Sequence, residues 1–372
     1  MKSFELIDLI LFLGISQGIF LAVTIQMIRN RNKGANKILS LVLLLAVLML
    51  LGRLVYFKFL TPRFLQWTVL VDTVIFIFGP LCYEYFRRIA FANNDTFKLP
   101  KIHYLLALLH FLFFCYTISL SEEIFSKKMN SGFFRIPFFV IEGVGVIANF
   151  YYWILNFKLL KKYIKEEKNA VSYHQNLLSF LKFFQIAVGV FLMMWAINYI
   201  AIYFFNHSIQ FIGYNSMWGA ISIFIFVVGY YSLKEPELFR MPFQKEKVKL
   251  SKRLPQDEII SLGKKLDDLI KKEKIFLKPD LTLRDLAIRL NTSSHNVSWY
   301  LNTILRINFY DYINRNRVLE FLKRIEKEEH LNHTILAIAM EVGFNSKSTF
   351  NKAFKLEMNT TPSNYIKGLK AA

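Results

Sequence analysis

The chain has 372 residues, 54% hydrophobic and 16% aromatic, with a formal net charge of +20. A mean hydropathy of +0.32 and the long apolar runs of the first 233 residues exclude a wholly water-soluble globular protein, because so much apolar surface needs lipid as its solvent. Cys82 and Cys115, both inside apolar runs, exclude a disulfide framework and a cysteine metal centre.

Taken in chain order, seven apolar segments have about the ~20 residues a helix needs to cross the hydrocarbon core. They are Leu6 to Ile28, Ile38 to Phe57, Trp67 to Phe86, Ile102 to Leu120, Phe134 to Phe157, Phe183 to Phe205 and Gly213 to Leu233. The first is too long for a signal-peptide core and lacks a small-residue cleavage site, so it reads as a retained span. Lys and Arg collect after the odd-numbered spans, at Arg29, Arg31, Lys33 and Lys37 and again at Lys158, Lys161, Lys162, Lys165 and Lys168. Between Asn206 and Gln210 there is no Lys or Arg. Because cytoplasmic loops hold the excess, the N-terminus is expected outside and the last third of the chain in the cytoplasm.

Gln17, Arg53, Asp72, Glu84, His110, Glu142, Asn149, Gln185 and Asn198 interrupt the spans. A charge near the bilayer centre costs ~2.5 to 3.5 kcal/mol on insertion scales, so Asp72 and Glu142 are expected to face the bundle interior, with Arg53 as the available cation. Two readings stay open: a structural ion pair with interhelical hydrogen bonds, or a signal-sensing site made of Arg53, Asp72 and Glu142. Trp153, Trp218 and Tyr230 read as interfacial belt and packing.

Residues 234–256, "KEPELFRMPFQKEKVKLSKRLPQ", form a charged linker with three prolines. After it, Asp257 to Lys274 places Ile259, Ile260, Leu262, Leu266, Leu269 and Ile270 on one helical face. In "LTLRDLAIRLNTSSHNVSWYLNTIL", Thr282 can cap a helix with a Leu283, Leu286, Ala287, Leu290 stripe. A polar break at Asn291 to Ser293 then precedes a second helix, Ser294 to Leu305. That helix offers Ser294, His295, Asn296, Ser298, Trp299 and Asn302 to base edges and phosphates. A longer helix, Phe309 to Ile325, leads to "IAMEVGFNSKSTFNKAF" at 338–354. Here Gly343 supplies a left-handed turn, and a helix starting near Ser346 presents Ser346, Lys347, Ser348, Thr349, Asn351, Lys352 and Lys355. Two helix-turn-helix units thus flank a connecting helix of ~25 Å, which would set the two reading helices about one DNA turn, ~34 Å, apart. Residues 251–372 hold 21 Lys plus Arg against 14 Asp plus Glu, a net of +7 that favours a polyanion only moderately. A single such unit can be plain packing with a solvated face; the duplication favours DNA.

"LTLRDLA" at 281–287, "NFYDYINRNRV" at 308–318, "AIAMEVGFNSKSTFNKAFK" at 337–355 and "TPSNYI" at 361–366 resemble the DNA-binding domain of the AraC/XylS family of bacterial regulators. The resemblance covers about a third of the chain. With the seven apolar segments read as a transmembrane bundle over 1–233, an all-α fold is expected, and the resemblance implies over 257–372 a seven-helix domain with two helix-turn-helix units whose second helices enter the major groove. Arg317 would be structural or phosphate-facing. Asn291, Arg306 and Asn359 stand where the family often has glycine, and Trp299 is bulky for a base-reading position. The implied function is a one-component transcription regulator of the bacterial inner membrane, with no enzyme activity, cofactor or metal. Its partners would be double-stranded promoter DNA, the lipid bilayer, RNA polymerase and an unidentified signal ligand, with a homodimer left open. The alternatives are a transporter or channel with a regulatory tail, and a passive anchor from which proteolysis releases the DNA-binding part.

Overall fold

Every regular element described in the computed structural model is helical, apart from one isolated bridge between Val171 and Thr282. The description covers residues 5–27, 33–58, 62–91, 97–173, 176–207, 209, 214–234 and 255–371. Arg29, Arg31 and all but the ends of the 234–256 linker lie outside the described residues. The chain divides into two compact units, one of Met1–Lys161 with Asn176–Gln244, the other of Lys162–Gln175 with Lys245–Ala372.

The first unit is built from α1 (Leu6–Met27), α2 (Lys33–Lys58), α3 (Pro62–Asp72), α4 (Val74–Ala90), α5 (Leu105–Ser119), the short α6 (Glu122–Asn130), most of α7 (Arg135–Ala170), α8 (Asn176–Phe205) and α9 (Tyr214–Lys234). Six helical spans are long and apolar enough to cross a membrane: 6–27, 33–54, 65–90, 101–119, 135–170 and 177–205. By length and composition these six suit a multi-pass membrane protein. The seventh expected span corresponds to α9, a helix of 21 residues that is not among these six. Among the described residues its apolar stretch is Ser216–Tyr231.

Large apolar side chains cover the outside of this unit, Ile147 being 71% and Ile186 65% exposed, as a lipid-facing surface requires. Its polar groups turn inward and bond between helices. Trp153 and Gln185 exchange hydrogen bonds through their side chains and carbonyls at 2.9 and 2.8 Å. Gln66 donates to the Thr117 and Leu120 carbonyls at 3.0 and 2.9 Å. Glu84 pairs with Arg88, which also donates to the Gly34 carbonyl at 3.0 Å. Gly14 lets α1 approach α9 so closely that a Cβ there would lie 2.5 Å from the Ser222 hydroxyl. Within the third span a single turn residue, Thr73, separates α3, ending on Asp72, from α4, beginning at Val74. Between them the Thr73 hydroxyl and His110 Nδ1 are 2.9 Å apart.

The second unit contains α10 (Gln256–Lys271), α11 (Leu283–Arg289), α12 (Ser294–Trp299), α13 (Phe309–Glu326), α14 (Ile335–Glu341), α15 (Lys347–Met358) and α16 (Pro362–Ala371). Two apolar clusters hold it together. Leu262, Leu266, Leu286, Val297, Leu301 and Phe309 belong to the first, and Val318, Phe321, Ile338, Phe350, Phe354 and Ile366 to the second. Helix α13 feeds both, and Leu277 packs against both. The expected continuous helix from Ser294 to Leu305 is α-helical only to Trp299 and widens into a π turn over Tyr300–Ile304. Helix α10 stops at Lys271, and Lys274 takes a left-handed conformation with φ 47°.

Candidate nucleic-acid interface and bundle cavity

The first helix-turn-helix unit begins with a reciprocal cap. The Thr282 hydroxyl accepts the Asp285 N–H at 3.1 Å, and the Asp285 carboxylate accepts the Thr282 N–H at 3.1 Å. Burial opposes ionisation of Asp285, but the bonds from Thr282 and from Lys278 outweigh it and hold the carboxyl below its usual value. Asn291, at φ 50°, makes the turn after α11, and Ser293 caps α12 by accepting the Asn296 N–H at 3.1 Å. Ser294, His295, Asn296, Ser298 and Trp299 are half-buried on α12, while Asn302 in the π turn is exposed. His295, Ser298, Trp299 and Asn302 share one face by their spacing. Asn302 Nδ2 donates to the Ser298 carbonyl at 2.8 Å, which fixes it on that face, while Asn296 Nδ2 donates to the Thr292 hydroxyl at 3.1 Å, back towards the turn.

The second unit repeats the plan with different residues. Thr334 caps α14 through the Ala337 N–H at 3.1 Å, and Gly343 turns the chain at φ 101°. Ser346 caps α15 by accepting the Thr349 N–H at 3.2 Å. Lys347, Ser348, Asn351, Lys352 and Lys355 are exposed, at positions that place them along one side of α15. Thr349 corrects the sequence expectation. It is 3% exposed, its hydroxyl 2.8 Å from that of Ser346 and hydrogen-bonded to Tyr310 of α13. Its place two residues after Lys347 turns it away from the exposed side. The Ser346 hydroxyl is occupied as a cap, so this residue positions α15 first.

All three residues standing where glycine was expected adopt the backbone that glycine favours: Asn291, at φ 50°, on leaving α11, and Arg306 and Asn359, both at φ 54°, on leaving the second helix of each unit. Arg306 is exposed at the exit of the first unit, a cation the sequence reading had not counted among the contacts. Arg317 is fully buried, which settles its role as structural.

Residues 286–368 match a helix-turn-helix domain family model. "Probable transcription factor PqrA" of Proteus vulgaris is 29% identical over 89 residues, which is 22% of this chain and 70% of that protein. No solved structure matches the chain. The C-terminal part of the chain thus matches a helix-turn-helix domain model and is similar, over 89 residues, to a probable transcription factor. It follows a region of six long apolar helices.

Within the first unit a cavity of about 700 Å³ opens among the helices, lined by Asp72, Glu142, Asn149, Trp195 and Met217 together with many apolar side chains. Trp195 Nε1 donates to Glu142 Oε1 at 2.9 Å. Asn149 Nδ2 donates to the Ile75 and Gly145 carbonyls at 2.9 Å each. Asp72 and Glu142, two of the three signal-sensing candidates, therefore share one cavity. Arg53 on α2 is not among the residues lining it.

Proposed function

We propose that the protein is a membrane-bound one-component transcription regulator that binds promoter DNA sequence-specifically and adjusts that binding to a signal received by its apolar bundle. One observation carries the reading: two helix-turn-helix units, each with a polar face on its second helix, are joined by the single helix α13. At 18 residues that helix is ~27 Å long, which suits reading helices one DNA turn apart. The exposed lysines of α15 would meet phosphates, while His295, Ser298, Asn302, Ser348 and Asn351 would meet base edges. The Lys and Arg asymmetry supports an N-terminus outside and the reading domain in the cytoplasm, with α9 as a seventh span.

The test is footprinting by the full chain in lipid nanodiscs over a salt series. Two protected patches about one helical turn apart, with affinity falling steeply as salt rises, are expected. Absence of protection on DNA recovered from a random pool would overturn the reading. The sensing role belongs in this proposal to Asp72 and Glu142 in the shared cavity, with Arg53 retained as the third candidate. Asp72→Asn, Glu142→Gln and Arg53→Gln are expected to change promoter output in at least one condition, because a signal must bind two bundle states unequally. Unchanged output from the triple variant in every condition would remove these residues from the mechanism.

A further inference from the structure

The second unit includes a piece of chain that the sequence gives no reason to place there. Helix α7 runs unbroken from Arg135 to Ala170, and residues Lys162–Gln175, its last turns and the loop after it, belong to the helix-turn-helix unit. Val171 pairs with Thr282 in an antiparallel bridge. The Ser172 N–H donates to the Leu281 carbonyl at 3.2 Å, and its hydroxyl donates to the same oxygen at 2.8 Å. Ser172 is fully buried and Val171 is 5% exposed.

The other side of Ser172 faces Arg317. Arg317 Nη1 donates to the Ser172 carbonyl and Nη2 to its hydroxyl, both at 3.2 Å. Asn314 Nδ2 donates to the same carbonyl at 3.1 Å. The remaining donors of the guanidinium go to the Phe276 and Lys278 carbonyls, each at 2.7 Å, and to Asn314 Oδ1 at 3.1 Å. A buried guanidinium is tolerated only with such a set of acceptors around it, and Ser172 supplies two of them.

Arg317 stands at the joint between the two reading units. Loop 276–278 leads into the first unit, α13 links the two, and the Gly343 turn of the second unit closes on them. A Cβ at Gly343 would lie 2.6 Å from the Phe276 carbonyl, 2.8 Å from that of Leu277 and 2.9 Å from Arg317 Nε. The angle between the units is fixed where these groups meet, and Ser172 plugs that place.

We propose that Ser172 is a positioning residue for two-site DNA reading: acting through Arg317, it ties the setting of helix α7 to the spacing of the two reading helices. The chain is then tethered to its reading domain twice, by the linker before α10 and by the loop after α7, and the second tether enters the joint. A shift or rotation of α7 moves Ser172, and the arginine with its carbonyl partners must follow. Linkage works both ways, so DNA binding must in turn restrain the segment around Ser172. The inference rests on the DNA-reading function proposed above.

The test uses the full chain in nanodiscs and a duplex recovered by selection from a random pool, with zero to five base pairs inserted between its two protected patches. Wild type is expected to prefer one spacing. Ser172→Ala, which removes the hydroxyl and keeps the carbonyl, is expected to weaken binding at that spacing about tenfold, the scale of one charge-assisted hydrogen bond, while flattening the spacing profile. Ser172→Thr keeps the hydroxyl and should restore the profile. An unchanged profile, or an equal loss at every spacing as from a smaller folded fraction, overturns the proposal. Deuterium uptake by the 162–173 segment of the wild-type chain gives a check that needs no variant. Uptake slowed by DNA supports the coupling, and uptake indifferent to DNA refutes it. If wild type selects no DNA at all, the function reading itself fails, an outcome distinct from both.

Discussion

At Gly343 the backbone sits at φ 101°, where an L side chain is strained, and the space a Cβ would need is filled by two carbonyls and a guanidinium nitrogen. Gly343→Ala is therefore expected to destabilise the second helix-turn-helix unit by about 2–4 kcal/mol, from backbone strain and forced displacement together. A drop in the denaturant midpoint of that unit, with the apolar bundle unaffected, is the expected result. Thr282 and Asp285 form a second point where one residue type is required. Thr282→Ala should cost about 1 kcal/mol through the lost cap. The carboxyl of Asp285 is held below its ordinary 3.8 in the folded chain, so it adds stability in full above that value and loses it as pH falls through the folded value. The destabilisation caused by Asp285→Ala should accordingly be larger at pH 7 than at pH 3, measured as denaturant midpoints. Both positions were legible in the sequence, since a glycine between two short helices and a Thr three residues before an Asp are local signals. Thr349 was not, because its hydroxyl is claimed by Ser346 and Tyr310, and Tyr310 lies 39 residues away along the chain.

On the scale of elements, α15 divides its work between faces. Phe350, Ala353 and Phe354 are buried, while Lys347, Ser348, Asn351, Lys352 and Lys355 are exposed. Lys352→Ala is expected to weaken all duplexes alike and to lower the slope of log affinity against log salt by about 1. Asn351→Ala should instead relax preference at one base position, at a cost of about 1–3 kcal/mol on the selected site and little elsewhere. A selection profile compared before and after each substitution separates the two. The apolar stripes of α10, α11, α13 and α15 could be read from periodicity because each helix has one side in a core and one in water. The ends of elements were less accessible: neither the π turn after Trp299 nor the turn at Thr73 leaves a mark in the periodicity along one helix. Asp72, the last residue of α3, lines the bundle cavity beside residues of α7 and α8.

At the scale of the whole molecule, the arrangement makes the reading domain discontinuous in sequence. A fragment of residues 245–372 lacks Ser172 and so leaves Arg317 Nη1 and Nη2 without two of their acceptors. That fragment should be less stable, by about 2 kcal/mol in a denaturant titration, than the same fragment joined by a flexible linker to residues 162–173. The six membrane-length helices, the two helix-turn-helix units and the residue types on their second helices follow from hydrophobic period, caps and turn residues, all of which act over a few positions of chain. What those signals could not carry is partnership between distant segments. Asp72 and Glu142 meet in one cavity while Arg53 does not line it, and a serine following the fifth long span completes the shell of an arginine 145 residues further on. Such placements depend on which surfaces lie together after folding, where the need of each buried polar group for a partner is met by whatever the packed chain brings within ~3 Å.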